Sequence, residues 1–180
     1  MKSFSSLMGK QTLLPIIQAD SVEQGVNIAQ AMFDAGLKLV EVGLRTEASL
    51  AALKAIKLAI PELLVGAGTV TNEDILQQSL DAGADFIVTP AVSAKLLGFL
   101  VYCPVPVLPG VSNTGEIMMA KEAGCTDMKL FPASLSGGAP FLYAISSIFQ
   151  EIKFCPTGGV TEANKGDYLS LNNVFAVGGT

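Results

Sequence analysis

No histidine occurs among the 180 residues. That absence removes Ser-His triads, Cys-His dyads, histidine general bases and nearly every catalytic zinc site. Any chemistry must therefore rest on Lys, Glu, Asp, Tyr, Cys or Arg. Cysteine is scarce as well. Cys103, Cys125 and Cys155 are odd in number, widely spaced and without a CxxC pair, which argues against a disulfide framework and against structural zinc and suits a reducing cytoplasm. Positive charge is in deficit: 11 Lys and Arg stand against 16 Asp and Glu, a formal charge of −5, with 15% of residues charged. Such a balance lacks the phosphate-neutralising surface that nucleic acid requires. Long apolar runs are missing too. Stretches such as 86–88 or 105–108 fall far short of the roughly 20 residues that cross a bilayer. Residues 1–10 carry a basic residue but no continuous apolar core of a secretory signal, and read as a short helical or loose lead-in. The expectation is a soluble, cytoplasmic protein with neither nucleic acid nor membrane as a partner.

What is present is apolar and periodic. Half of the residues are hydrophobic, enough for one domain spanning 1–180 around a sizeable core. Short runs rich in Val, Ile and Leu recur at 13–17, 37–44, 63–67, 86–89, 105–108, 128–131, 153–155 and 174–177. Their centres lie about 20 to 26 residues apart, the length of a strand plus a covering helix, and nearly continuous hydrophobic strands belong to parallel sheets covered on both faces. Between them the spacing turns helical, as at Val22, Val26, Ala29, Met32 and Phe33. Ala35-Gly36, Ala82-Gly83 and Ala123-Gly124 repeat a helix-stop signal in register. Eight strand-helix units predict an α/β chain forming a parallel (β/α)₈ barrel rather than an open doubly wound sheet. Because the last run leads straight into Val177-Gly178-Gly179-Thr180, the expected barrel lacks its eighth helix and is C-terminally truncated.

Active sites of such barrels lie at the C-terminal ends of the strands, where polar residues are few. The period of two along 37–45 places Leu39, Glu41, Gly43 and Arg45 on one face. Glu41 is then either an inward, buried carboxylate, which needs a function or a cation to offset its cost, or an outward one paired to a helix. Lys129 stands amid apolar strand residues and shares a face with Phe131. It either snorkels from an edge or sits inside, where desolvation biases an amine toward the neutral form that attacks ketones to give a Schiff base. Gly158-Gly159 after the seventh run and Gly178-Gly179 after the eighth occupy the two places where these barrels commonly bind phosphate through backbone N–H groups.

Five segments then carry a resemblance. Leu39-Val40-Glu41-Val42-Gly43-Leu44-Arg45-Thr46, Val65-Gly66-Ala67-Gly68-Thr69-Val70, Val88-Thr89-Pro90, Met128-Lys129-Leu130-Phe131-Pro132-Ala133 and Phe154-Cys155-Pro156-Thr157-Gly158-Gly159-Val160 resemble, in order and over nearly the whole chain, those of the 2-keto-3-deoxy-6-phosphogluconate aldolases. The resemblance implies a homotrimeric class I aldolase of the Entner–Doudoroff pathway that needs no metal or organic cofactor. It implies Lys129 as the Schiff-base lysine and Glu41 as general acid/base. Arg45 and Thr69 would hold the pyruvyl carboxylate, Pro90 and Phe131 would shape the pocket, and Gly158, Gly159, Gly179 and Thr180 would receive the phosphate. Two positions depart from the pattern: Gly43 stands where the family often has Thr, and Thr180 where it often has Ser. The rival within the fold is a pyruvate-lyase for 2-keto-3-deoxy-6-phosphogalactonate or 4-hydroxy-2-oxoglutarate. The rival from another class is a non-catalytic phosphosugar-binding or assembly protein, against which the pairing of Glu41 with Lys129 argues.

Overall fold

The computed structural model describes residues 3–180. Strand and helix alternate as the periodicity predicts, after a short leading helix α1 (Phe4–Met8). The order continues β1 (Leu13–Ile17), α2 (Val22–Asp34), β2 (Leu39–Gly43), α3 (Ser49–Ala59), β3 (Leu64–Gly68), α4 (Glu73–Asp81), β4 (Ile87–Val88), α5 (Ala94–Leu100), β5 (Val107–Leu108) and β6 (Gly110–Val111). It closes with α6 (Thr114–Glu122), β7 (Asp127–Leu130), α7 (Gly138–Ile145), β8 (Lys153–Phe154), α8 (Lys165–Leu169) and β9 (Val177–Gly179). All strand pairs are parallel. Six strands, in the order β5-β4-β3-β2-β1-β9, curl into a half-barrel, and β6-β7-β8 form a second sheet. No helix among the described residues is long and apolar enough to cross a membrane.

Two departures from the expected strands have local causes. The run at 105–108 pairs only at Val107–Leu108, and the chain resumes pairing at Gly110–Val111, because Pro109 has no N–H to give a ladder. The final strand sits later than the run at 174–177, at Val177–Gly179, with Val174 held to Phe154 by an isolated bridge.

The helix ends follow side-chain and glycine chemistry. Ser21, Asn72, Ser93 and Asn113 each accept a hydrogen bond from the backbone N–H three residues on, satisfying first-turn donors that have no partner within the helix. Gly36, Gly83 and Gly124 take φ of 93°, 87° and 88°. There the next residue donates back into the helix, Leu37 N–H to Met32, Ala84 N–H to Ser79 and Cys125 N–H to Ala120. This is the reversal that an L side chain resists and glycine permits.

The apolar residues divide into two cores. One lies between the strands and their covering helices and includes Ile17, Val40, Val42, Leu53 and Ile56. The other fills the concave side of the strands with Leu14, Leu39, Phe86, Val88, Leu108 and Cys155, and α1 closes it from below with Phe4 and Met8. Phe4 meets Phe86 edge to face at 5.2 Å between ring centres, and Ser3 Oγ and Ser5 N–H both donate to Asp127 at the start of β7. Phe4→Ala should lower the unfolding free energy by about 3–5 kcal/mol, the usual cost of emptying a buried aromatic site. Urea denaturation of the variant against the native chain measures it, and a loss under about 1 kcal/mol would mean that α1 does not plug this core.

Candidate active site

Parallel register sets the depth of the key side chains. Ile16 lies beside Glu41, Glu41 beside Gly66, and Gly43 beside Gly68, so alternation directs Ile16 and Glu41 to the concave side. The glycines of β3 make the room. A Cβ at Gly66 would overlap the Phe86 ring, and one at Gly68 would overlap the Glu41 carboxylate. Lys129 enters from β7, with Gly110 alongside.

Glu41 and Lys129 meet at the centre. The Lys129 Nζ donates to Glu41 Oε1 at 3.5 Å, with side chains only 3% and 1% exposed. The ammonium also lies 5.3 Å from the centre of the Phe131 ring, within cation–π range. Burial pushes the Glu41 carboxyl above its ordinary 4.5, opposed less strongly by Lys129 and Arg45. Its Oε2 is buried and makes no hydrogen bond among the described residues. Leaving a buried carboxylate oxygen bare costs about 1–3 kcal/mol or more, so the atom is placed for something other than stability. Cys155 lies nearby, but burial raises its thiol to about 12. It remains a protonated packing group, not a nucleophile.

Above the pair, at the C-terminal ends of the strands, a cavity of about 200 Å³ is lined by Arg45, Phe131, Gly158, Gly159, Gly179 and Thr180, among others. Six of the ten residues singled out from sequence thus share one wall system, with Glu41 and Lys129 beneath it. Thr69 is joined to them through its hydroxyl, which accepts from Arg45 Nε at 3.3 Å. Thr69 has φ of 64°, a conformation that a β-branched residue adopts at a cost of about 1–3 kcal/mol and that concentrates at working sites. Pro90 follows β4 with its backbone against Gly110 and is not part of the cavity lining.

The loop after β8 depends on glycine backbone. Gly158 and Gly159 have φ of 93° and 76°, and a Cβ at Gly159 would overlap the Ser134 hydroxyl. Thr157 bridges to Gly178, where any Cβ would meet the Thr157 hydroxyl, so the two glycine pairs lie side by side. A larger groove of about 430 Å³ runs past Leu13, Met32, Leu37 and Leu169 and reaches Thr180. Arg45 and Phe131, which flank the buried pair, line the smaller cavity and not this groove, so its size carries no chemical weight. Sequence reading passed over Gln18 and Thr157, both of which line the smaller cavity. Gln18 follows β1 as Arg45 follows β2, and that position was the available signal.

With this geometry in place, comparison with known proteins is informative. The family model for KDPG and KHG aldolase matches residues 4–180. A KHG/KDPG aldolase of Escherichia coli K12 is 38% identical over 99% of this chain and 84% of its own length. A 2-dehydro-3-deoxy-phosphogluconate aldolase of Pseudomonas aeruginosa is 42% identical over 97% and 80%. The solved KDPG aldolase of Legionella pneumophila, with pyruvate captured as a covalent carbinolamine intermediate, superposes with a TM-score of 0.94 at 36% identity, covering 97% of this chain and 85% of that one. Matches of this extent, in both sequence and fold, make the chain a member of the KDPG and KHG aldolase family.

Proposed function

We propose that the chain is a class I aldolase that cleaves 2-keto-3-deoxy-6-phosphogluconate to pyruvate and glyceraldehyde 3-phosphate through a Schiff base on Lys129. The observation that carries this reading is the buried Lys129–Glu41 pair at 3.5 Å, directly beneath a cavity with a guanidinium at one side and two glycine pairs at the other. The carbinolamine in the Legionella relative supports the same covalent route.

The steps assign one task to each group. Lys129 releases one proton to water, the freed amine adds to the C2 carbonyl, and a proton returned to the new hydroxyl lets it leave as water, giving an iminium that draws electrons from C3. Glu41, as carboxylate, takes the proton of the C4 hydroxyl. The C3–C4 bond breaks, its electron pair becomes the enamine, and glyceraldehyde 3-phosphate departs. Protonated Glu41 returns the proton to C3, and water hydrolyses the iminium to free pyruvate and the amine. Arg45 and Thr69 bind the carboxylate, Phe131 limits the pocket while Pro90 packs behind it against Gly110, and Gly158, Gly159, Gly179 and Thr180 take the phosphate. The parallel sheets are the scaffold, and we infer that they complete a (β/α)₈ barrel. Continuity through Pro109 between β5 and β6 and the bridges Phe154–Val174 and Thr157–Gly178 support closure. We infer from the resemblance that the chain assembles as a homotrimer, in which exposed residues such as Tyr102, Leu135, Tyr143 and Ile148 would find cover.

The double name of the E. coli relative favours a second activity on 4-hydroxy-2-oxoglutarate. Side-by-side turnover of that acid, the phosphogluconate and 2-keto-3-deoxy-6-phosphogalactonate tests the assignment. The highest kcat/KM is expected for the phosphogluconate, and a clear preference for either other substrate would displace it.

Arg45→Lys should raise the pyruvate concentration needed for half-maximal Schiff-base formation by roughly 10- to 100-fold, the worth of one charged hydrogen bond. An ammonium keeps the charge but cannot reproduce a bidentate fork. A pyruvate titration with borohydride trapping reads this out, and an unchanged titration would move the carboxylate site elsewhere.

A further inference from the structure

Glycines on the concave side of the strands fall into two classes. Gly66, Gly68 and Gly178 each stand where a Cβ would overlap a named side chain, and at Gly110 it would press on the backbone of Thr89 and Pro90. Packing demands glycine at all four. Gly43 differs. An added Cβ there would rest at ordinary contact distances, 3.6 Å from Ile16 Cγ2, 3.7 Å from the Ile17 carbonyl and 3.8 Å from Arg45 Nε, and its φ is not among the positive ones. Neither sterics nor backbone conformation requires glycine at this position, so the missing side chain leaves usable space. Strand alternation puts that space one layer above Glu41 on the same face, beside Ile16 and Arg45, which line the cavity.

We propose that Gly43 is a specificity-determining position that admits 2-oxo acids bearing an alkyl substituent on C3. The inference rests on the aldolase reading. There Arg45 fixes the carboxylate and Glu41 exchanges the C3 proton, so C3 lies between them and its substituent faces Gly43. Pyruvate does not fill that space, whereas the extra methyl group of 2-oxobutanoate does. One methylene in a shaped pocket is worth about 10- to 200-fold in discrimination, so filling the space from the protein side removes that much from the larger acid.

The test measures solvent deuterium exchange at C3 of pyruvate and of 2-oxobutanoate by proton NMR, for the native chain, Gly43→Ala and Gly43→Val. Valine suits a strand, and alanine serves if the larger replacement does not fold. The native chain is expected to exchange both acids, with the ratio of kcat/KM for 2-oxobutanoate over pyruvate falling about 10-fold or more in Gly43→Val and by an intermediate factor in Gly43→Ala. An unchanged ratio, equal slowing of both acids, or a native chain inert toward 2-oxobutanoate but active on pyruvate overturns the role of Gly43 alone. A native chain that exchanges neither acid overturns the aldolase reading together with it.

Discussion

Lys129→Ala should lose aldol cleavage by at least roughly 10⁴-fold, the scale seen when a covalent nucleophile is removed, while the chain remains folded. In the proposed route the Lys129 amine forms the iminium, so its loss removes a reaction path and not merely binding energy. Folding should survive because the partner left behind can discharge itself. Without the cation that opposes desolvation, the Glu41 carboxyl, already raised above 4.5 by burial, rises further and becomes a neutral acid in place of a bare buried charge. Coupled-assay turnover and thermal unfolding, measured on the same preparation, separate the two statements. Turnover within tenfold of native would contradict the Schiff-base role, and loss of the folded state would show that the ion pair holds the core together.

Glu41→Gln should keep Schiff-base formation with pyruvate and slow C3 proton exchange by about 10² to 10⁴, the usual worth of a positioned acid/base. An amide has the size of the carboxyl but cannot take a proton from the C4 hydroxyl or return one to C3. In the native chain, exchange should fall on acidification through the raised Glu41 pKa, above 4.5, and that acidic limb should vanish in the variant. Stability carries the same signature. The folded chain holds a proton on Glu41 that the unfolded chain releases above 4.5, so the contribution of neutral Glu41 is complete below that pH and is lost as pH rises through the raised value. Glu41→Gln, which cannot ionise, should show a flatter dependence across this window. Weakened pyruvate affinity with an unaltered exchange rate would make Glu41 a binding residue.

Much of this site could be read from the residues because its signals are local. The alternation that aligned Glu41, Gly43 and Arg45, and the Ala-Gly helix stops at 36, 83 and 124, depend on neighbours a few positions apart. The inward reading of Glu41 and Lys129 needed one more premise, a sheet curled so that a face becomes an interior. What stayed hidden is set by residues far apart in the chain. Gly66 and Gly68 look like flexible strand positions until Phe86 and the Glu41 carboxylate are seen in the space they leave. The left-handed backbone of Thr69 breaks a local preference that sequence reading relies on. Its position against Arg45 accounts for it only once both strand ends are in place. Asp127 carries no signal in the sequence, yet it anchors α1 through Ser3 and Ser5, a link across more than a hundred residues that no periodicity records.

The proposed chemistry turns on one covalent bond. Incubating the native chain with pyruvate, reducing with borohydride and mapping the modified peptide by mass should place a single adduct on Lys129. An adduct on another lysine, or none on a chain shown to be folded, would contradict it.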